Sequence, residues 1–199
     1  MAITGIAALF LVAYVHFLAK DAKESKAVAA LPTIPVEHLR NGHIICRHGD
    51  GLWSNLIIRM NPVDKRFSHI GVLVESDAGM TVVHADTSSR FATSGKVVQE
   101  PLTTFLAHSR RIGVFRHKRV STVQLAASAC HYLGRPFDWK LDDKESNAVY
   151  CSELMKLAIG ESLPGETVRH VKCGNQEVVP VDAFITPEHS IELYEWQGL

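Results

Sequence analysis

Residues 68–86 carry the tightest constraint on the fold. From Ser68 to Glu75 the chain alternates, with Ile70, Val72 and Val74 on one side and His69, Gly71 and Leu73 on the other. Ser76-Asp77-Ala78-Gly79 is a turn signal, and Met80 to Asp86 reads as the returning strand of a hairpin. With those four residues as the turn, Glu75 faces Met80, Gly71 faces His84 and His69 faces Asp86. His69 and His84 then share a sheet face as diagonal neighbours, within reach of each other's rings. Gly71 has no side chain to hold them apart. Either histidine alone is an ordinary polar strand residue; the pairing is what suggests chemistry.

The second feature is Cys151. The loop Asp142-Asp143-Lys144-Glu145-Ser146-Asn147 is polar, and after it Cys151, Leu154, Met155 and Ala158 recur along one face of an amphipathic helix. A thiol in a first helical turn lies at the positive end of the helix dipole, among unpaired N–H groups that favour thiolate. A helix start is therefore where a cysteine enzyme would place its nucleophile, and the hairpin supplies a base and a residue to orient it. The competing reading of Cys151 is a small core residue.

The 199 residues are 46% hydrophobic, enough for one domain with a sizeable core. Lys+Arg and Asp+Glu are both 21, so no global basic field argues for nucleic acid. Arg110-Arg111 and Arg116-His117-Lys118-Arg119 read as solvated strand ends. Four cysteines are too few and too scattered for a disulfide scaffold. Cys46, on the first strand, and Cys130, on the stripe Val123, Ala126, Ala127, Cys130, Leu133, are expected in the core; Cys173 carries no reading. His43-x-x-Cys46-x-His48 has metal-ligand types, but on a strand residues 43 and 46 point to opposite faces and no second pair stands nearby. No metal and no cofactor is expected.

Residues 2–19 are almost wholly apolar, about long enough to span a bilayer core. No Lys or Arg precedes them, unlike a signal-peptide start, and Ala27-Val28-Ala29 lies past the apolar stretch. We expect residues 1–19 to be a membrane anchor in preference to a cleaved signal, residues 20–36 a tether, and 37–199 the domain. Lys20, Lys23 and Lys26 follow the segment, which by the positive-inside rule would keep the domain cytoplasmic, but the side of the membrane that the domain faces stays open. A cleaved segment would instead make it secreted or periplasmic.

Ser68-His69-Ile70-Gly71-Val72, Val83-His84-Ala85, Gly134-Arg135-Pro136-Phe137-Asp138 and Tyr150-Cys151-Ser152-Glu153-Leu154 together resemble the YiiX/YebB-like family. That family belongs to the circularly permuted branch of the NlpC-type, papain-fold cysteine hydrolases, where the histidine precedes the cysteine. Asn41-Gly42-His43-Ile44-Ile45-Cys46-Arg47 resembles its first strand, with His43 where Asp is usual. Val179-Pro180-Val181-Asp182 and Pro187 resemble its C-terminal segment. The resemblance covers roughly residues 40–190. It implies a thiol hydrolase acting on an amide or ester through a thioester, with Cys151 as nucleophile and His69 as general base. His84 falls on the third polar position, where many relatives carry Glu. It also implies a peptide- or lipid-derived substrate, and the apolar segment 2–19 adds the expectation of a single-pass protein, of the bacterial inner membrane.

The expected fold is α+β: an antiparallel sheet of about five or six strands with helices packed on one side. One helix begins near Cys151, one runs from about Ser121 to Leu133, and one covers Leu102 to His108. Tyr150, Asp138 and Trp139 are expected to line the cleft. The backbone N–H of Cys151 is an expected oxyanion donor. Two other functions fit the same residues: a lipid acyltransferase, as in the lecithin:retinol acyltransferase group, and a non-catalytic membrane-tethered binding module.

Overall fold

The computed structural model describes residues 32–50, 52–87, 95–107, 109–141, 143 and 147–198. The expected anchor, 1–19, and most of the tether lie outside them. Among the described residues no helix is long and apolar enough to cross a membrane. The domain starts before residue 37: Ile34 is buried, and the Tyr194 hydroxyl donates to the Thr33 carbonyl at 3.0 Å.

Six strands form one antiparallel sheet: β1 (Ile44–Gly49), β2 (His69–Ser76), β3 (Gly79–Asp86), β4 (Lys96–Pro101), β5 (Ser109–His117) and β8 (Ser190–Gln197), in the order β4-β3-β2-β1-β5-β8. β6 (Val171–Cys173) and β7 (Gln176–Val178) make a separate hairpin. The β2–β3 register follows from the turn, with Glu75 opposite Met80 and Val72 opposite Val83. A Cβ on Gly71 would lie 3.1 Å from His84 Cβ and 2.7 Å from Val82 Cγ1, so only glycine admits the close approach seen there.

The helices are α1 (Leu52–Met60), α2 (Leu102–Leu106), α3 (Thr122–Cys130) and α4 (Cys151–Ser162). On one sheet face Ile44, Ile70, Val72, Val83 and Ala85 pack against Leu125 and Ala129 of α3 and Leu154, Met155 and Ala158 of α4. Burying such a row of full side chains stabilises the fold by roughly 1.5–3 kcal/mol each. The other face is also covered. Ile45, Leu73, Val82, Ile112 and Val114 pack there with Phe105 and Leu106 of the one-turn helix α2.

The stripe expected on α3 is rotated. Leu125, Ala126, Ser128 and Ala129 face inward, while Val123 is 67% exposed and Leu133 42%. Leu125 is the one large apolar side chain inside the helix and sets the buried face. Ser128 seals that face by meeting the Ser162 hydroxyl of α4 at 3.2 Å. Cys46 is core as expected, Cys130 is only partly buried against it, and Cys173 is exposed.

Candidate active site

α4 begins where the sequence places it. Tyr150 is extended as N-cap and Glu153, at the third helical position, accepts the Tyr150 N–H at 3.4 Å. Cys151 is therefore the first residue of the helix, and its side chain is held at a cavity of about 190 Å³. His69, the first residue of β2, lines the same cavity. α4 packs on the Ile70 face of the sheet, and His69 and His84 lie on the opposite face over Phe105, with ring centroids 5.8 and 5.2 Å from it. Cys151 and His69 line one cavity because it opens at the end of the sheet, where Gly49, His69 and Asp86 are also found.

Four adjacent strands contribute one polar residue each to an oblique row. Arg47 on β1 pairs in register with His69 on β2. His69 Nε2 lies 2.8 Å from His84 Nδ1 on β3, with the rings edge to face. His84, fully buried, places Nε2 2.9 Å from Glu100 Oε1 on β4. Glu100 is the residue missed by sequence reasoning. Its signal was the register itself: His84 faces Val98, so Glu100 is its diagonal neighbour, as His69 is on the other side.

With His84 neutral, its Nε2 donates to Glu100, since a carboxylate accepts only, and its Nδ1 is left as an acceptor. His69 then donates from Nε2, which leaves its Nδ1 lone pair unprotonated.

Electrostatics set the resting state. The thiol of Cys151 is pushed up by burial, despite backbone N–H groups of Ile70, Ser152 and Cys151 that favour the thiolate. This reverses the expectation from helix position alone: the cavity wall removes more solvation than the helix start returns. His69 is pushed well below the usual histidine range by burial, then by Arg47 and His84. Both shifts favour a neutral thiol beside a neutral imidazole, not an ion pair.

Tyr150 lines the cavity, and its phenol oxygen accepts the Val179 N–H at 2.8 Å. Asp138 and Trp139 do not line it. Asp138 is buried and accepts the Lys140 N–H at 2.8 Å, holding a turn, and Trp139 is 46% exposed beside Phe137. Phe137 and Leu141 stand in the wall instead, the latter in a left-handed conformation at φ 54°. α1, not anticipated from sequence, adds Ile57 and Met60 to the wall.

Glu153 couples this helix start to pH. Its carboxyl is pushed up to about 8, by burial first and by Asp143 and Asp138 after it. The folded state thus holds the proton more tightly than the unfolded chain, so the stabilisation is complete below the ordinary carboxyl range and is lost as pH rises through about 8. Glu153→Gln should therefore gain stability relative to the unsubstituted protein as pH is raised from 5 to 9. Paired thermal melts across that range measure it, and a difference that stays flat with pH would refute the assignment.

The profile of a family described as permuted papain-like amidase enzymes, YaeF/YiiX, C92 family, matches residues 38–165. Comparison with curated proteins gives no match. Among solved structures, the chain resembles the crystal structure of metalloprotein yiiX from Escherichia coli O157:H7, with 21% identity and a TM-score of 0.66 over 80% of this chain and 99% of that one.

That relative is described as a metalloprotein. His43 Nδ1 is 2.8 Å from the His38 carbonyl, His48 Nε2 is 3.2 Å from Asn55 Oδ1 and Cys46 is in the core, so that trio does not converge. Among the described residues His117, Glu166 and His189 bring donor atoms within 4.8 Å of one another. His117 Nδ1, however, accepts the N–H groups of Val120 at 3.1 Å and Arg119 at 3.3 Å, which puts the ring proton on Nε2. Neither nitrogen then offers a lone pair, and Arg119 holds Glu166 at 2.6 Å. The trio fits an ion-paired clasp and not a cation site.

Proposed function

Because this chain belongs to the permuted papain-like amidases of the YaeF/YiiX family, a family of cysteine hydrolases, we propose that it cleaves an amide bond through a thioester on Cys151. The observation that carries this reading is the shared cavity of Cys151 and His69, backed by the row through His84 to Glu100. His69 Nδ1 takes the thiol proton as sulfur attacks the carbonyl, a general-base step suited to two neutral partners. The His69 imidazolium that forms is stabilised through His84, whose other nitrogen rests on Glu100. The backbone N–H of Cys151, in the first turn of α4, is the donor offered to the developing oxyanion. His69 then protonates the leaving amine, and water attacks the thioester with His69 as base.

Ester cleavage by the same steps is open to this site. Residues 2–19 would hold the domain at a membrane, a role that rests on their apolar composition alone. The test is an activated acyl substrate such as a p-nitrophenyl ester, with rapid acid quenching and intact mass. One acyl group should appear per chain, map to Cys151 and be released by hydroxylamine. Release to water alone marks a hydrolase, and transfer to an added alcohol or amine marks a transferase. No adduct at Cys151 under conditions of turnover would sink the thioester.

A further inference from the structure

Arg47 is the one member of the polar row that the mechanism above does not use. It lines the cavity with Cys151 and His69 and stands opposite His69 in the β1–β2 register. Phe105 fixes it twice: Nη1 donates to the Phe105 carbonyl at 2.8 Å, and the guanidinium carbon lies 4.5 Å from the ring centroid. Among the described residues no carboxylate oxygen comes within ion-pairing distance, 4.0 Å, of it. Burial makes this cation costly, the charges of Glu100, Asp86 and Asp50 offset part of that cost from beyond contact, and the planar fork is shaped for a carboxylate in direct contact. Among the described residues lining the cavity Arg47 is the one permanent cation, so an anion would be met there.

Position says which part of a substrate would bring that anion. Arg47 flanks His69, the group that protonates the leaving amine, so it lies on the leaving-group side of the scissile bond. The apolar wall of Ile57, Met60, Phe137, Leu141 and Val178 is left for the acyl side. Resting on the thiol-hydrolase reading, we propose that the substrate is an amide joining an apolar acyl group to an amine that bears a carboxylate, as in an N-acyl amino acid, and that Arg47 binds that carboxylate. Burial lowers the hold of the Arg47 guanidinium on its proton more than Glu100, Asp86 and Asp50 raise it, which accords with a cation that gains from an anion in direct contact.

The test uses a matched pair, N-hexanoylglycine and N-hexanoylglycinamide, which share the scissile bond and differ in charge. The full chain should favour the glycine compound at least tenfold in kcat/KM, mostly through KM, by reading released hexanoate. Arg47→Met should bring that ratio to about one, and Arg47→Lys should restore part of it. Equal turnover of the two compounds, or an Arg47→Met loss shared equally by both, would overturn the proposal. Binding separates this from the reading beneath it. With Cys151→Ser, calorimetry should still show the glycine compound binding at least tenfold more tightly than the glycinamide. If the variant discriminates while the unsubstituted protein forms no acyl-enzyme, the carboxylate site stands and the thioester falls. If Cys151 acylates normally and the variant does not discriminate, the carboxylate site falls and the thioester stands.

Discussion

Replacing Cys151 by alanine should lower turnover by on the order of 10⁴-fold or more, the scale on which loss of a covalent nucleophile is felt. No other cysteine can stand in. Cys46 is fully buried in the core, Cys130 packs at its margin and Cys173 is exposed on the β6–β7 hairpin. Cys173→Ala and Cys130→Ala should retain turnover. Cys46→Ala should retain it per folded molecule but cost about 1–2 kcal/mol of stability, the usual scale for truncating a small core side chain. Steady-state kinetics on the four variants, with denaturant melts for each, decide this. The nucleophile is misassigned if Cys151→Ala keeps a tenth of the activity or more.

The second large effect separates the two histidines. His69→Ala should lower the acylation rate by on the order of 10²–10⁴-fold, because proton transfer is lost. His84→Ala should cost about 10–100-fold, the range seen when an orienting partner is removed. The pH profile distinguishes the roles. Burial and Arg47 hold His69 well below the usual histidine range, so it stays an unprotonated base as pH falls through 6.5. The acid limb of kcat/KM should therefore lie below 6.5 in the unsubstituted protein and vanish with His69→Ala. Glu100 changes what a carboxylate at position 84 would do. His84→Glu would set two carboxylates side by side, a pairing that raises the pKa of one of them. The double substitution His84→Glu with Glu100→Gln removes that repulsion and should be the more active of the two at neutral pH. Should His84→Ala abolish the acid limb while His69→Ala keeps it, the base is His84 and the row must be read in the opposite direction.

The hairpin and the start of α4 were legible because each is set by local chemistry. A four-residue turn fixes the β2–β3 register, and a polar loop followed by an i, i+3, i+4, i+7 stripe fixes a helix start. Glu100 was not legible because β4 is a short edge strand whose alternation is cut by Pro101; only its pairing with β3 gives Glu100 a meaning. Arg47 was hidden in the same way, as a polar residue on an otherwise buried strand whose value depends on what stands opposite. The face of α3 was misread because alanine and serine define no stripe of their own, so Leu125 and the packing of α4 decide it. Asp138 and Trp139 were placed at the cleft by nearness in sequence to Cys151, but the turn that Asp138 holds puts Phe137 and Leu141 there.

The order in which the row and the nucleophile occur along the chain has a consequence for biosynthesis. Arg47, His69, His84 and Glu100 all leave the ribosome before Cys151, and they lie on four neighbouring strands of which β2, β3 and β4 follow one another in sequence. Folding that proceeds as the chain emerges can assemble base and partners on those strands first. The thiol is translated afterwards, and it gains its amide neighbours only when α4 docks beside Ile70. Until then the strand residues have no nucleophile to activate, and reactivity waits on the delivery of Cys151 and the rest of α4.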